Sequence, residues 1–376
     1  MPSRTVSWEE LSRHSQPGDL WIAVAGVAYD VSDFGDDHPG GKMVFERSGG
    51  RDVTEPFQAY HPDWVAKTMK RFEVGRMESS RRGTLPGPTV MYTKLFAEIK
   101  SAGLLETDYG FYVRTGAWLS FLFALAWGLV LSGRWVLGAV TIGIFWQQAS
   151  FVGHDAGHNS ITHNRKTDGN IALVVNAFIG VGMSWWKSSH NIHHILVNST
   201  DCDPDIQHLP LLAPSHNYLQ TTHSEYHDFD LVFDGPAKYL VPYQHLTFFP
   251  LLLVAKFGMY IHAIRHFMTG GTVFIHKIKE YFVMIFFMCW YLSLAMLVPT
   301  WPERVMFVML SHSIVSILHL QVGLCCLYSE QEIRAILWAF PVLWSETCPI
   351  FHPSYVCLSW ALPRPTRPLV SNTLGH

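Results

Sequence analysis

The stretch WVLGAVTIGIFWQQASFVGHDAGH (residues 135–158) decides how most of this chain folds, because an apolar run of membrane-spanning length ends in two histidines. Another apolar run, GAWLSFLFALAWGLVLS (116–132), precedes it by only two residues. Each run is close to the roughly 20 residues that a helix needs to cross the hydrocarbon core of a bilayer. The two runs therefore predict a transmembrane hairpin that brings His154 and His158 to a membrane surface.

Composition and two later apolar runs extend this prediction to a whole domain. Hydrophobic residues make up 49% of the chain and charged residues 15%, against roughly 25% charged residues in soluble domains. The runs at 281–299 and 305–320 predict a second hairpin, whereas shorter runs at 171–186 and 246–261 predict interfacial or partly buried helices. We expect an all-α membrane domain with about four transmembrane helices. The net charge of −3 gives no indication of a nucleic-acid partner.

The charge pattern predicts the orientation of this domain. The polar N-terminus lacks the apolar segment of a secretory signal peptide, so we expect it to lie in the cytosol. Residues 153–280 carry eight Lys and Arg, whereas each hairpin turn carries one Arg. By the positive-inside rule this segment is also cytosolic. Fourteen of the 21 histidines lie within it.

The first part of the chain has the pattern of a small soluble α+β domain. LWIAVAGVAYDVSDF (20–34) predicts a β-hairpin, and a Gly-, Pro- and Ser-rich linker follows at 77–90. The motif HPGG begins at His38, and His61 lies 23 residues further on, so the two can meet only across a folded pocket. Imidazoles on opposite faces of a haem fill both axial positions of its iron. Because no position is then open for O2, such a haem can only transfer electrons. Taken singly, His38 could be a turn residue and His61 a surface residue.

Helical spacing groups five later histidines. His154 and His158 are four residues apart and share one helix face. HNIHH places His190, His193 and His194 on one face in the same way. Five imidazoles suit iron better than a structural zinc, which needs four ligands and usually recruits Cys. The alternative is that these are interfacial histidines without a ligand.

Together with the hairpin and the acidic turn GDDHPGG, residues 7–76 resemble the cytochrome b5 family. This resemblance implies a b-type haem with His38 and His61 as its axial ligands.

HDAGH and WWKSSHNIHHILVNSTDCDPDIQHLP (185–210) look like the first two histidine boxes of the membrane fatty-acid desaturases. With a fused cytochrome b5 domain, the chain resembles the front-end desaturases, which include the plant sphingolipid Delta-8 and acyl-lipid Delta-6 enzymes. The resemblance covers residues 7 to 321, with a membrane desaturase domain at 91–321. DCDPD (201–205) also matches the family. Without the resemblance, these residues are best interpreted as solvated carboxylates in a turn.

The resemblance implies a cofactor, substrates and partners. The cofactor is a non-haem di-iron site that activates O2, and no catalytic residue is implied apart from the metal ligands. A membrane lipid or sphingoid base loses two hydrogens, while the fused haem passes on electrons from a cytochrome b5 reductase. It also implies a multi-pass protein of the endoplasmic reticulum membrane. The implied iron ligands are His154, His158, His190, His193 and His194.

After Gln321 the sequence departs from the desaturase pattern. A third histidine box, Gln-x-x-His-His, should follow roughly a hundred residues later, but the remaining chain has no such motif and its two histidines, His352 and His376, are isolated. A retained intron or a changed reading frame explains a divergent tail over 322–376. The alternative to an active desaturase is therefore a truncated, catalytically impaired, haem-binding membrane protein.

Overall fold

The computed structural model describes residues 4–78 except 39 and 63, then residues 87–269 and 274–327. From residue 328 onward, the predicted divergent tail lies outside the described residues. Most of the predicted linker lies outside them as well. At its two ends, Met77 closes a strand and a helix begins at Gly87.

The N-terminal part is an α+β unit, as predicted. Its strands are β1 (Thr5–Val6), β2 (Ser15–Gln16), β3 (Asp19–Val24), β4 (Val27–Asp30), β5 (Arg51–Asp52) and β6 (Glu73–Met77). Its helices are α1 (Trp8–Arg13), α2 (Lys42–Glu46), α3 (Thr54–Tyr60) and α4 (Val65–Thr68). The sheet order is β1-β6-β4-β3-β2, with β5 paired to β3. β1 is parallel to β6, whereas β3 and β4 are antiparallel.

Strand β3 forms the core of this unit because its side chains alternate between two faces of the sheet. Leu20 and Ile22 pack into a buried cluster that also contains Phe45 of α2. Trp21 and Ala23 point the other way, into a second buried cluster. The first cluster supports the wall of the pocket described below.

The predicted hairpin at 20–34 is confirmed. Val24 of β3 pairs with Val27 of β4. The two residues between them, Ala25 and Gly26, have φ angles of 50° and 77°. Positive φ at both central residues is typical of the type I′ turn, whose twist matches that of the paired strands.

The rest of the described chain is helical apart from one small hairpin. Its helices are α5 (Gly87–Ser101), α6 (Tyr109–Leu131), α7 (Trp135–Gly157), α8 (Arg165–Ile179), α9 (Met183–Ile195), α10 (Gly235–Leu240), α11 (Gln244–Leu253), α12 (Ala255–Thr269), α13 (Phe274–Met296) and α14 (Trp301–Leu327). The hairpin consists of β7 (Thr222–Ser224) and β8 (Phe229–Leu231). The expectation of an all-α domain overlooked this hairpin, whose strands are only three residues long.

Three of the described helices are long and apolar enough to cross a membrane: Tyr109–Leu131, Trp135–Gly157 and Ile278–Met296. Two bent pairs raise the number to five if each pair is one span: α8 with α9, and the segment Gly235–Leu253, which contains α10 and α11, with α12. The expected four spans lie within this range. The expected span at 305–320 is helical and lies in α14, but buried Ser311, His312 and Ser316 make it more polar than the other three.

Helix α7 lies at the centre of the membrane part. Its Trp146 is fully buried and donates a hydrogen bond from Nε1 to the carbonyl oxygen of Phe178 in α8 at 2.8 Å. Phe287 of α13, also fully buried, packs against the same indole. This aromatic core fixes α8 and α13 against α7.

A sharp break between α8 and α9 directs α9 toward the end of α7. The two helices meet at 111°. Gly180, which ends α8, has a φ of 68°. A Cβ added there would lie 2.3 Å from the ring of Phe287, so this turn requires glycine for both conformation and space. The break brings HNIHH beside HDAGH.

Candidate functional site

The first candidate site is the pocket between His38 and His61. His38 follows a 3-10 turn, and His61 caps the C-terminus of α3. Their ring centroids lie 5.9 Å apart, which leaves room for a flat macrocycle between the two inner nitrogens. His61 donates a hydrogen bond from Nδ1 to the carbonyl oxygen of Phe57 at 3.0 Å. Its Nε2 therefore keeps a free lone pair, which is the form that an axial ligand requires.

The surroundings of both imidazoles fit a haem. Burial lowers the pKa of His38 and the pKa of His61, so both rings are neutral at physiological pH. Buried Nδ1 of His38 has no hydrogen-bond partner among the described residues. Phe57 stacks on His61 at 4.5 Å, and the ring of Phe45 lies 4.9 Å from that of His38. The two histidines and their aromatic supports are therefore suited to hold haem b.

The second candidate site is a cluster of four histidines where α7 ends beside α9. One nitrogen from each of His154, His158, His190 and His194 lies within 4.8 Å of all the others. The Nε2 atoms of His190 and His154 are 3.2 Å apart, and those of His194 and His190 are 3.0 Å apart. Four imidazole nitrogens that converge in this way form a donor set for a transition metal ion.

His158 shows how well this cluster suits a cation. Its buried Nε2 has no hydrogen-bond partner among the described residues. Burial, followed by the neighbouring His154, lowers the pKa of His158 to about 3. The ring is thus neutral, and its buried lone pair is available to a metal.

The fifth predicted ligand, His193, does not belong to the four-histidine cluster, although its ring lies 5.7 Å from that of His190. Its Nδ1–H donates to Oδ2 of Asp203 at 2.9 Å, and Asp205 lies 3.8 Å away. His193, Asp203 and Asp205 form a second group whose potential ligand atoms lie within 4.8 Å of one another. The five predicted iron ligands are therefore arranged as four plus one.

The prediction that the DCDPD carboxylates are solvated is wrong for Asp203, whose side chain is fully buried. Besides the His193 proton, its carboxylate accepts backbone hydrogen bonds from Asn198 at 2.8 Å and from Asp205 at 2.9 Å. These donors compensate for removal from water. Asp203 also caps a 3-10 turn that begins at Pro204, and an Asp directly before Pro is a sequence signal for such a cap.

Asp203 is expected to orient His193, so the Asp203→Asn variant should hold less iron. An amide no longer offers a charged acceptor to Nδ1–H, and such outer partners typically contribute about 10–100-fold to metal affinity. Iron content after dialysis against graded chelator measures the effect. Asp228→Asn is the matched control, because the Asp228 side chain is 97% exposed. Equal iron retention in both variants would contradict the orienting role.

Further residues that the sequence did not single out position the metal cluster. Tyr112 of α6 donates to Asp155 at 2.9 Å, and Asp155 lies 3.5 Å from Nδ1 of His154. At the start of α9, the backbone N–H of Ser184 donates to buried Glu280 at 2.7 Å. A carboxylate at a helix N-terminus is stabilised by the helix dipole. The two histidine-bearing helices are thus held by neighbours from α6 and α13.

Gly157 in HDAGH allows the two histidine helices to approach closely. A Cβ at this position would lie 2.3 Å from the ring of Trp186. The same indole stacks on His190, with ring centroids 4.5 Å apart. Trp186 therefore fits between α7 and His190 only because residue 157 lacks a side chain.

These features define a membrane-bound oxidoreductase with its own haem domain, and comparison with known proteins gives its family. Residues 7–78 match the family described as "Cytochrome b5-like Heme/Steroid binding domain". Residues 133–330 match "Fatty acid desaturase". The chain belongs to the fatty acid desaturase family and carries an N-terminal cytochrome b5-like domain.

Relatives named as desaturases are similar to this chain over two thirds of its length or more. The chain is 32% identical over 324 residues to the Acyl-lipid (9-3)-desaturase of Borago officinalis, covering 85% of this chain and 72% of the relative. It is 33% identical over 323 residues to the Delta(8)-fatty-acid desaturase 2 of Arabidopsis thaliana, with 85% and 71% covered. It is 36% identical over 260 residues to the Delta 8-(E)-sphingolipid desaturase of Kluyveromyces lactis, covering 67% of this chain and 45% of that protein.

Proposed function

We propose that this protein introduces a double bond into the long-chain base of a sphingolipid or into a lipid-linked fatty acyl chain. The observation that carries the proposal is the convergence of four imidazoles at the end of a membrane hairpin. Relatives named for Delta-8 desaturation of sphingolipids and fatty acids support this choice of substrate class.

The residues of this chain have separable roles in such a reaction. His154, His158, His190 and His194 would hold non-haem iron, and His193, oriented by Asp203, would serve a second iron. Bound iron supplies the activation of O2. The substrate would give up two hydrogens from neighbouring methylenes. His38 and His61 would hold the haem, which would supply two electrons, and two protons would accompany them. One O2 thereby becomes two waters.

The experiment is expression of the full chain in a host that lacks the activity, followed by profiling of long-chain bases and fatty acids. We expect new unsaturated products from the wild-type chain and none from His154→Ala. His245→Ala is the matched control, because His245 is exposed on α11 and lies outside the cluster. Products from His154→Ala at the wild-type level would show that the cluster is not the catalytic centre.

A second candidate function follows from the sequence after Gln321, which contains no Gln-x-x-His-His motif. The chain would then bind haem, and iron at the four-histidine cluster, without desaturating lipid. In the same experiment it gives a haem spectrum and no new lipid products. Sequencing the transcript across the codons for Gln321 and Val322 identifies the cause. Splicing into a frame that encodes the third box would favour the active enzyme.

We propose that the protein lies in the endoplasmic reticulum membrane with its haem domain in the cytosol. Segment 153–280 carries eight Lys and Arg against one Arg in each hairpin turn, which supports placing the histidines on the cytosolic side. A cytochrome b5 reductase of the endoplasmic reticulum is the proposed electron donor. In sealed microsomes, we expect an epitope at the N-terminus to be digested by added protease. We also expect NADH and the reductase to reduce the haem, which is measured by its absorbance change. A protected epitope would contradict the orientation.

A further inference from the structure

The haem domain contacts the desaturase domain through two sets of polar interactions. Arg47, which caps α2, forms ion pairs with Glu225 and with Asp201, the latter at 3.6 Å. Tyr60, the last residue of α3, donates a hydrogen bond from its hydroxyl to the backbone carbonyl of His194 at 3.2 Å. These contacts join the two domains beside the four-histidine cluster.

The acidic side of this contact is built by the desaturase domain. The backbone N–H of Glu225 donates to the carbonyl oxygen of Asp201 at 2.8 Å, which ties the β7–β8 hairpin to DCDPD. The connection places two carboxylates opposite one guanidinium. Their side chains are each 43% exposed, so the ion pairs are screened by water and only moderately strong.

This contact is suited to repeated docking rather than to permanent attachment. An open cleft of 290 Å³ lies at this contact, lined by Lys42 and Glu46 on the haem side and by Glu225 on the other. The interface is therefore incompletely packed. Because both domains belong to one chain, their high effective concentration compensates for weak individual contacts.

Tyr60 lies next to residues of both candidate cofactor sites. It directly precedes His61 in the chain, and its hydroxyl reaches the backbone of His194. A short path of covalent bonds and one hydrogen bond thus connects a proposed haem ligand to a proposed iron ligand.

We propose that Arg47, Asp201 and Glu225 form the docking clamp of the haem domain, and that Tyr60 couples the haem to the desaturase-domain iron. This inference rests on the proposed function. In each transfer, one ferrous haem held by His38 and His61 would be oxidised to ferric, and iron held by the four histidines would accept that one electron. The hydrogen bond from the Tyr60 hydroxyl to the His194 carbonyl stays intact, so Tyr60 is a positioning residue and is not itself oxidised.

The clamp is tested in the full, haem-loaded chain in lipid nanodiscs. A fluorescent amino acid replaces Leu219, which is 52% exposed on the desaturase side and lies outside the contact. Haem quenches its emission when docked. We expect Arg47→Glu to increase the undocked fraction at least about tenfold, since close charge pairs at interfaces couple this strongly. The reciprocal pair Arg47→Glu with Glu225→Arg should restore part of the quenching.

Arg51→Glu is the matched control, because Arg51 is exposed on β5 and its reversal changes the net charge equally. The haem absorbance band confirms that each variant is folded and loaded. Unchanged emission in Arg47→Glu overturns the clamp, as does an equal change in Arg51→Glu. Emission does not depend on lipid products, so the clamp and the proposed function fail separately.

The coupling role of Tyr60 needs a second readout. We expect Tyr60→Phe to leave the quenching unchanged and to slow the reoxidation of reduced haem by O2 several-fold in stopped-flow absorbance. Tyr239→Phe, on an exposed tyrosine of α10, is the control. Wild-type reoxidation in Tyr60→Phe overturns the coupling. The coupling is also overturned if the haem of the wild-type chain is reoxidised no faster than the haem of His154→Ala, because the electrons would then leave the haem by another route.

Discussion

The His38→Ala variant is expected to lose its haem completely while the membrane part stays folded. His38 is one of two imidazoles whose rings lie 5.9 Å apart, and the neutral state of both rings matches axial ligation. With one axial ligand gone, the iron keeps a single protein bond and an open position. The haem absorbance of the purified chain measures the loss, and lipid products should disappear with it.

His14→Ala is the control for this experiment, because His14 is the third histidine of the haem domain. It stacks on Trp21 at 3.8 Å and hydrogen-bonds to Asp19, away from the pocket core. Its replacement should lower stability without removing haem. A His38→Ala protein that keeps a full complement of haem would mean that His38 is not a ligand.

The second large effect is expected from Gly157→Ala, where a single methyl group enters the contact between α7 and Trp186. The added Cβ would lie 2.3 Å from the indole, so the ring must move, and His190 stacked on it must move too. Overpacking of this kind typically costs about 1–3 kcal/mol. We expect a lower thermal unfolding midpoint together with reduced iron content.

Gly169→Ala provides the matched comparison, since nothing lies within 4 Å of an added Cβ there. Alanine is favoured over glycine inside a helix by about 1 kcal/mol, so this variant should be unchanged or more stable. If the two variants unfold alike and retain equal iron, the close approach at Gly157 has no structural importance.

Much of the haem domain could be predicted because its signals are local. Alternating residues and a two-residue turn determine the β3–β4 hairpin. The helical spacing of HDAGH and HNIHH likewise indicated that each motif presents its histidines together. The structure adds that His154 and His158 meet His190 and His194 across two helices.

What the sequence could not predict depends on contacts between distant segments. HNIHH placed its three histidines on one face by spacing, yet His193 turns to Asp203 because that buried carboxylate accepts its proton. The need for glycine at position 157 comes from Trp186, which is 29 residues away in sequence. The pairing of Arg47 with Glu225 depends on how two domains meet, which no local pattern encodes.

The same limit applies to the membrane helices. Hydropathy found the α6–α7 hairpin because every residue of each run contributes to it. The 111° break between α8 and α9 arises instead from Gly180 and the ring of Phe287 packed over it. A run interrupted in this way has no simple hydropathy signal, although it carries half of the metal cluster.

This one chain is expected to hold both a haem and histidine-bound iron. The most direct measurement is the ratio of non-haem iron to haem in the purified full-length protein, compared with His158→Ala. We predict non-haem iron in the wild-type chain, and loss of that iron with retention of haem in the variant. A wild-type chain that binds haem but no other iron, or a His158→Ala chain with undiminished iron, would contradict the account.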